Sequence, residues 1–282
     1  MIIDFHTHVF PQFLREGRDK AAADDPAFRT LYESPSARLA GTKALIQRMD
    51  QEGVHRAVIF GFPWRDPDYY RRHNDYIIES VRRYPDRLVG FCCFSPLSSS
   101  GAAEVERCVN QGLSGVGELA VYDGDLSPEV MNGLKEVMAL CRQSDLPFLL
   151  HVNEPVGHTY PGKTPNTLRQ IYAFLKAYPE NRIVLAHWGG GILFYALMKR
   201  EVWDVFSRVW FDTAASPYLY SPDIYRVAAE VVGSEKILFG SDFPLLNPER
   251  YFKEMEAAGL LEKDVERIKG GNAARLLGLV SL

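Results

Sequence analysis

Six residues that can bind a metal ion are spread along the whole chain, and four of them are histidines. His6 and His8 follow a short apolar segment at the N-terminus. Because alternate residues of a strand point to the same side, the two imidazoles project together at the carboxyl end of this segment. Two imidazoles on one side supply half of the ligands of a common metal site. Taken alone, the pair fits a metal site and a hydrogen-bonded polar corner equally well.

The other four candidates also lie at the ends of apolar segments, and they are Glu118, His151, His187 and Asp242. Imidazoles together with carboxylates are ligands of zinc, manganese or iron rather than of calcium. Singly, Glu118 could be an ion-paired carboxylate, Asp242 a helix cap and His187 a core histidine. Six such groups at one end of a fold would each cost several kcal/mol of desolvation without a cation, so together they predict a metal centre.

Short apolar strands and helices must position these residues, and the chain alternates between the two throughout. Eight strands are predicted at residues 2–5, 57–60, 88–94, 115–119, 148–151, 183–187, 209–212 and 237–242. A helix follows each strand, for example at residues 42–52, 128–143 and 165–177, the last with Thr164 as its N-cap. This alternation is typical of an α/β protein of the (β/α)₈ TIM barrel type.

The placement of the polar residues separates a barrel from an open, doubly wound sheet. Only a closed ring brings the carboxyl ends of strands one, four, five, six and eight to one point. No linker composition divides the chain, so a single domain spanning residues 1–282 is expected. The proline-containing segment 9–41 after strand one is predicted to be a long loop that covers the site.

Composition narrows the possible partners to a small-molecule substrate. The 282 residues carry a formal net charge of −4, which gives no general attraction to nucleic acid or to anionic lipid. Because no apolar run reaches the length of a spanning helix, we expect no membrane contact and a cytoplasmic location. A homo-oligomer is left open, since surface patches decide it.

The order and spacing of the strand-end motifs resemble the amidohydrolase superfamily, specifically its amidohydrolase-related branch. The motifs are His6-Thr7-His8, His151, Ala186-His187-Trp188-Gly189-Gly190, Gly240-Ser241-Asp242-Phe243-Pro244 and Gly270-Gly271-Asn272. The resemblance spans nearly the whole chain. It implies a metal-bearing barrel in which the paired histidines and Asp242 bind one metal, whereas His151 and His187 bind a second metal or serve the substrate.

Two metal counts remain open, and Glu118 decides between them. Gly117-Glu118-Leu119 resembles the relatives in which a glutamate bridges two metals. The alternative is one zinc ion held by His6, His8, His151 and Asp242, with or without Glu118, leaving His187 as an acid or base. Zinc is the expected metal, with manganese or iron as alternatives.

The substrate is expected beside the loop that follows strand five and near two other residues. Within this loop Asn153, Glu154, His158 and Tyr160 could orient a substrate, and Lys163 could hold an anionic group. Outside it, Arg65 is a second candidate anion contact and Trp188 a candidate stacking surface. If Arg65 and Lys163 both bind substrate, the substrate carries a carboxylate or a phosphate.

The sequence therefore predicts a metal-dependent hydrolase that directs a metal-activated water at an amide, ester or lactone bond of a small, anionic molecule. Asp242 would take up the proton of the water and pass it to the leaving group, with His187 as the other catalytic residue. One alternative is a mononuclear zinc decarboxylase or hydratase acting on a carboxylated substrate. Another is a non-catalytic, metal-bound binding module.

Overall fold

Eight parallel strands surround an apolar core in the computed structural model, which describes residues 1–279. The strands are rich in the β-branched and aromatic residues that favour extended structure, and most of their side chains are buried. Strands β1, β2 and β3 form one sheet in that order, and strands β4 to β8 form a second one, also in chain order. Their bounds are β1 Ile3–His8, β2 Arg56–Phe60, β3 Leu88–Gly90, β4 Val116–Leu119, β5 Phe148–Leu150, β6 Ile183–Leu185, β7 Val209–Asp212 and β8 Ile237–Leu238.

Backbone hydrogen bonds join the two sheets into a closed ring. Between β3 and β4, the Cys92 N–H donates to Gly115 O over 2.9 Å, and the Gly117 N–H donates to Cys92 O over 2.8 Å. Between β8 and β1, the Asp242 N–H donates to His6 O over 3.0 Å. The predicted (β/α)₈ barrel is therefore confirmed, and the carboxyl ends of its strands meet at one face.

Helices pack around the barrel and connect its strands. Their bounds are α1 Gln12–Glu16, α2 Arg18–Asp24, α3 Pro26–Tyr32, α4 Thr42–Glu52, α5 Pro67–Arg83, α6 Gly101–Asn110, α7 Pro128–Gly133, α8 Lys135–Gln143, α9 Leu168–Ala177, α10 Glu201–Val205, α11 Ser216–Leu219, α12 Ile224–Val232, α13 Pro248–Ala257, α14 Glu262–Glu266 and α15 Asn272–Leu276. Two 3₁₀ segments, His187–Leu197 and Ser234–Lys236, and a π-helical turn, Arg267–Gly271, complete the secondary structure. Within residues 1–279, no helix has the length and the apolar character needed to cross a membrane.

The segment after β1 was predicted to be a loop, but it folds into helices α1 to α3. Helix α3 begins at Pro26, and the Asp25 carboxylate accepts a hydrogen bond from the Phe28 N–H at 2.9 Å. Phe28 is fully buried and stacks on Trp64 with ring centroids 4.6 Å apart. Helices this short show no sustained hydrophobic period, so tertiary packing rather than local pattern determines them.

Two of the predicted helices also differ in extent from the observed ones. Helix α9 begins at Leu168 instead of residue 165, because Thr167 and Gln170 form a reciprocal capping box. The predicted helix 128–143 is divided into α7 and α8 at Leu134. Both helices keep their predicted positions between the strands.

Candidate metal centre

Four of the predicted metal ligands form a compact group at the carboxyl face of the barrel. The Nε2 atoms of His6 and His8, both on β1, lie 3.3 Å apart. Each of them lies 3.6 Å from Glu118 Oε2 on β4. Asp242 Oδ1, which follows β8, lies 3.6 Å from His6 Nε2 and 3.4 Å from His8 Nε2. Three strands that are distant in sequence thus direct four ligand atoms at one point.

The other two predicted ligands surround the second oxygen of Glu118. Its Oε1 lies 2.9 Å from His151 Nδ1 and 3.6 Å from His187 Nε2. These two histidines follow β5 and β6, and both are buried. Glu118 therefore stands between two groups of histidines, with one carboxylate oxygen in each group.

The spacing of the first group suits a single bound cation. Ligand atoms placed tetrahedrally at about 2.1 Å from one ion lie about 3.4 Å from each other. The Nε2 atoms of His6 and His8 lie 3.3 Å from each other and 3.4 to 3.6 Å from the nearest oxygens of Glu118 and Asp242. The two histidines therefore have a spacing from each other and from both carboxylates that suits a shared divalent cation.

The outer nitrogen atoms of His151 and His187 donate to backbone carbonyls, and this decides what their inner nitrogens present. His151 Nε2 lies 2.9 Å from Gly162 O, and His187 Nδ1 lies 2.8 Å from Ala214 O. A carbonyl oxygen only accepts, so each outer nitrogen must carry the proton. The inner nitrogens, His151 Nδ1 and His187 Nε2, then present lone pairs to the site when the rings are neutral, as metal ligands or proton acceptors must.

The Asp212 carboxylate accepts a hydrogen bond from the outer nitrogen of His6, as the carbonyls do for His151 and His187. The sequence analysis did not select Asp212. It ends β7, is fully buried, and its Oδ2 lies 2.8 Å from His6 Nδ1. Its position after an apolar strand was the available signal, because other site residues share that position. The missing information was that this carboxylate faces an imidazole of a strand 206 residues away in sequence.

A left-handed turn begins at His187, which was predicted to be the last residue of the strand at residues 183–187. His187 has a φ of 53°, and Trp188 and the three glycines after it also have positive φ angles. At Gly190, with φ of 62°, an added Cβ would lie 2.3 Å from Asn153 O. Glycine is needed here both for the backbone conformation and for the close approach of the β5 loop. Asp242 also has a positive φ, of 58°.

Opposite charges inside the site shift the pKa values of its members. Burial lowers the pKa of His6, but the carboxylates of Asp212 and Glu118 outweigh it and raise that pKa to about 10. Burial raises the pKa of Glu118, whereas the attraction of His6 and His151 brings it well below its usual range. Burial likewise opposes ionisation of Asp242, yet a hydrogen bond from His8 and the charge of His6 lower its pKa to about 2. Both carboxylates are therefore ionised at neutral pH.

The two histidines of the second group shift in opposite directions. Burial lowers the pKa of His151, but the charge of Glu118 outweighs it and raises the pKa overall. For His187, burial and the neighbouring His151 both lower the pKa. His187 is thus the histidine of this group that favours the neutral form, with a lone pair on Nε2.

The loop after β5 uses most of its own polar groups to hold its shape. Asn153 is buried, and its Oδ1 accepts hydrogen bonds from the Thr164 N–H at 2.7 Å and the Thr164 hydroxyl at 2.8 Å. Glu154 accepts from the Tyr160 hydroxyl at 2.9 Å and pairs with Lys163, also at 2.9 Å. Lys163 donates in addition to carbonyls of the same loop. Of the groups predicted to contact substrate, Glu154, Tyr160 and Lys163 are therefore bonded to one another, and Asn153 is bonded to Thr164.

The remaining predicted substrate contacts lie in three different environments. Arg65 is exposed and forms an ion pair with Asp123, and His158 is exposed in the β5 loop. Trp188 is completely buried, and its Nε1 donates to the Ser216 hydroxyl at 2.8 Å. Trp188 therefore packs in the core behind the turn and does not face a substrate cleft.

Aromatic residues that the sequence analysis did not select lie beside the metal-ligand group. The ring of Tyr122 is 5.2 Å from that of His151 and stacks on Phe62 at 5.8 Å. Tyr32, from helix α3, contacts Phe62 with ring centroids 6.0 Å apart. Burial and then the charges of Asp242 and Glu118 raise the pKa of the Tyr32 phenol well above its usual range. The site thus has a wall of flat rings next to its charged groups.

Comparisons with known proteins identify a matching protein family and several similar enzymes. A protein-family model described as Amidohydrolase matches residues 3–279. A gamma-resorcylate decarboxylase of Rhodococcus jostii is 27% identical over 305 aligned positions, which cover 89% of this chain and 92% of the relative.

Two solved structures are also similar to the chain. A 5-carboxyvanillate decarboxylase from Sphingomonas paucimobilis gives a TM-score of 0.76 at 20% identity, covering 98% of each chain. A dihydroxybenzoic acid decarboxylase from Polaromonas sp., with bound manganese and the inhibitor 2-nitroresorcinol, gives a TM-score of 0.73 at 20% identity, covering 100% of this chain and 98% of the other. These two likenesses agree with the barrel described above.

The expectation of an amide, ester or lactone hydrolase is wrong. The three similar proteins named above are decarboxylases, and the similarity to the Rhodococcus jostii protein extends over almost the whole of both chains. The sequence motifs led to the error because they point to candidate metal ligands, and a metal site alone does not distinguish a hydrolase from a decarboxylase. The alternative that the sequence analysis kept, a lyase acting on a carboxylated substrate, agrees with the comparisons.

Proposed function

Because the chain belongs to the amidohydrolase family, we propose that it is a metal-dependent decarboxylase that removes CO₂ from a hydroxylated aromatic carboxylic acid. One observation supports this most strongly: inward-facing imidazoles and carboxylates adjoin a wall of aromatic rings, in a chain that aligns with a decarboxylase over 89% of its length. The wall supplies flat surfaces for a flat substrate.

One divalent ion would be held by His6, His8, Glu118 and Asp242, whose ligand atoms have the spacing of a single coordination sphere. When bound, the ion would neutralise the two carboxylates and polarise oxygen atoms of the substrate. Manganese and zinc both accept such a mixture of nitrogen and oxygen ligands. Manganese is favoured because the similar Polaromonas enzyme binds it.

His187 is the residue we assign to proton transfer. Decarboxylation breaks one carbon–carbon bond, releases CO₂ and needs one proton at the ring carbon that carried the carboxylate. The Nδ1 proton of His187 is held by Ala214 O, so Nε2 is free to accept a proton from a substrate hydroxyl. Returning this proton to the ring carbon leaves a phenolate, which recovers a proton from solvent. Asp242 then serves as a metal ligand rather than as the general base of a hydrolase.

The aromatic side chains Tyr32, Phe62 and Tyr122 would contact the substrate ring. Tyr122 also lies beside His151, so a ring stacked there would reach the inner face of the site. Tyr32 belongs to helix α3, so the segment predicted as a covering loop contributes to the wall directly.

The test is CO₂ release from hydroxybenzoates. The protein, loaded with manganese, is incubated with 2,6-dihydroxybenzoate and 5-carboxyvanillate in D₂O, and the products are examined for CO₂ and for deuterium at the vacated ring carbon. We expect both, and we expect a chelator to abolish them. No CO₂ from either acid, together with hydrolysis of an aryl ester or lactone, would contradict the proposal.

A His187→Asn variant tests the assigned proton carrier. Loss of a positioned acid or base lowers a rate by about 10²–10⁴-fold. We expect that loss of CO₂ release, with metal content unchanged at one ion per chain. His55→Asn is the matched control, because His55 is exposed near the opposite end of β1. Equal losses of metal and activity in His187→Asn would instead make His187 a metal ligand.

A further inference from the structure

Asp212 contacts two functional elements of the site at once. Its Oδ2 accepts the hydrogen bond of His6 Nδ1 at 2.8 Å. Its Oδ1 accepts the backbone N–H of His187 at 3.0 Å and that of Ala214 at 2.9 Å. The side chain is fully buried, and it is not itself one of the six candidate metal ligands. One carboxylate thus joins the end of β7 to β1 and to the turn after β6.

The bond to His6 determines which nitrogen of that imidazole faces the metal group. A carboxylate only accepts, so the proton of a neutral His6 ring must reside on Nδ1. Nε2 then presents its lone pair toward His8, Glu118 and Asp242. A carboxylate behind a metal-binding histidine also raises the basicity of the ligand nitrogen and fixes the ring orientation.

The bonds from Oδ1 hold the backbone that presents His187. His187 lies in a left-handed conformation, which is unfavourable for a residue with a side chain. Asp212 anchors the N–H of this residue, and the next contact, from His187 Nδ1 to Ala214 O, orients its ring. Because Ala214 is itself bonded to Asp212, both contacts depend on the same carboxylate.

We propose that Asp212 is a positioning residue that selects the metal-binding tautomer of His6 and at the same time holds the turn carrying His187. The inference rests on the proposed metal site, but not on the reaction or on the substrate. It assigns to β7, a strand that supplies no metal ligand in the proposed site, a part in setting the geometry of His6 on β1 and of the turn after β6.

The decisive variant is Asp212→Asn, which keeps the size of the side chain. Its Oδ1 can still accept from His187 and Ala214, whereas its NH₂ group faces His6 Nδ1. An NH₂ group donates, so the proton of His6 moves to Nε2, and the lone pair that would bind the metal is lost. Changes behind metal-binding histidines weaken metal binding by about 10–100-fold, and we expect a loss in this range.

The measurement is titration of metal-free protein with cobalt(II), read from its visible absorption, together with thermal unfolding of the metal-free form. Asp25→Asn is the matched control, because Asp25 is a buried carboxylate whose hydrogen bonds come from the backbone N–H groups of Phe28 and Arg65. The control should bind cobalt as the wild type does. An Asp212→Asn protein that folds and binds cobalt within twofold of wild type overturns the inference.

Asp212→Glu provides a second test of the role of Asp212 if the asparagine variant does not fold. It retains a group that only accepts, so we expect it to bind cobalt more tightly than the asparagine variant or, where that variant is unfolded, to retain binding. A folded glutamate variant that has lost cobalt binding would contradict tautomer selection. A wild type that binds cobalt but releases no CO₂ refutes the decarboxylase proposal alone, whereas a wild type that binds no divalent ion refutes both.

Discussion

Metal affinity should rise steeply with pH, because His6 must lose a proton before its Nε2 can bind an ion. Without a metal, Asp212 and Glu118 overcome the effect of burial and raise the pKa of His6 from 6.5 to about 10. Below that pKa, each unit of pH changes the fraction of neutral imidazole about tenfold. Between pH 6 and pH 8 the dissociation constant for manganese should therefore fall about 100-fold, and roughly one proton should be released per ion bound.

The stability of the metal-free protein should change in the opposite direction. A histidine whose pKa is raised by folding stabilises the fold fully below its unfolded pKa of about 6.5, and this contribution is lost as pH rises through the folded pKa. The difference between 6.5 and about 10 corresponds to an upper limit of about 5 kcal/mol. The same attraction lowers the pKa of Glu118, so the two effects are not added. Metal-loaded protein should lack this decline, because the ion replaces the proton.

Isothermal titration at pH 6, 7 and 8 in buffers of different ionisation enthalpy gives both the affinity and the number of protons released. Urea unfolding of the metal-free protein over the same range gives the stability. His55→Asn, which changes an exposed imidazole, should retain the wild-type slope. An affinity that is constant from pH 6 to pH 8, with no proton released, would refute the assignment of His6 as a protonated group that becomes a ligand.

Two further predictions concern the turn after β6. Trp188→Ala should lower the free energy of unfolding by about 3–5 kcal/mol, because removal of a fully buried indole leaves a cavity. Urea unfolding measures this loss, and a loss below about 1 kcal/mol would contradict the place of Trp188 in the core. Gly190→Ala should destabilise the protein by at least about 1 kcal/mol, because the residue has a left-handed backbone and the new Cβ would clash with Asn153 O. Gly53 is also left-handed but has open space around it, so Gly53→Ala should cost less stability in the same assay.

The candidate ligands could be selected from the sequence because each follows a short apolar strand. A barrel gathers the carboxyl ends of its strands at one face, so position in a strand predicts position in space. His6, His8, Glu118, His151, His187 and Asp242 all lie together for this reason. The same logic applies to Asp212 at the end of β7, which the sequence analysis did not select.

The covering segment and the turn after β6 could not be predicted in the same way. Helices α1 to α3 have five to seven residues each, too short to show the periodic pattern of a longer helix, and α3 is held by the packing of Phe28 against Phe62 and Trp64. The glycines after His187 permit a left-handed turn as readily as a helix start. The left-handed turn brings Gly190 close to Asn153 O of the β5 loop, a contact that only the tertiary structure shows.

The sequence by itself determined the barrel and placed six candidate metal ligands at one end of it, since strand periodicity and side-chain chemistry are local properties. Only the tertiary structure decided that Asp212 stands behind His6, that Glu118 divides its two oxygens between two groups, and that Trp188 belongs to the core. These facts depend on which residues meet across the ring. Contacts between distant strands follow from packing of the whole chain, and no single segment contains them.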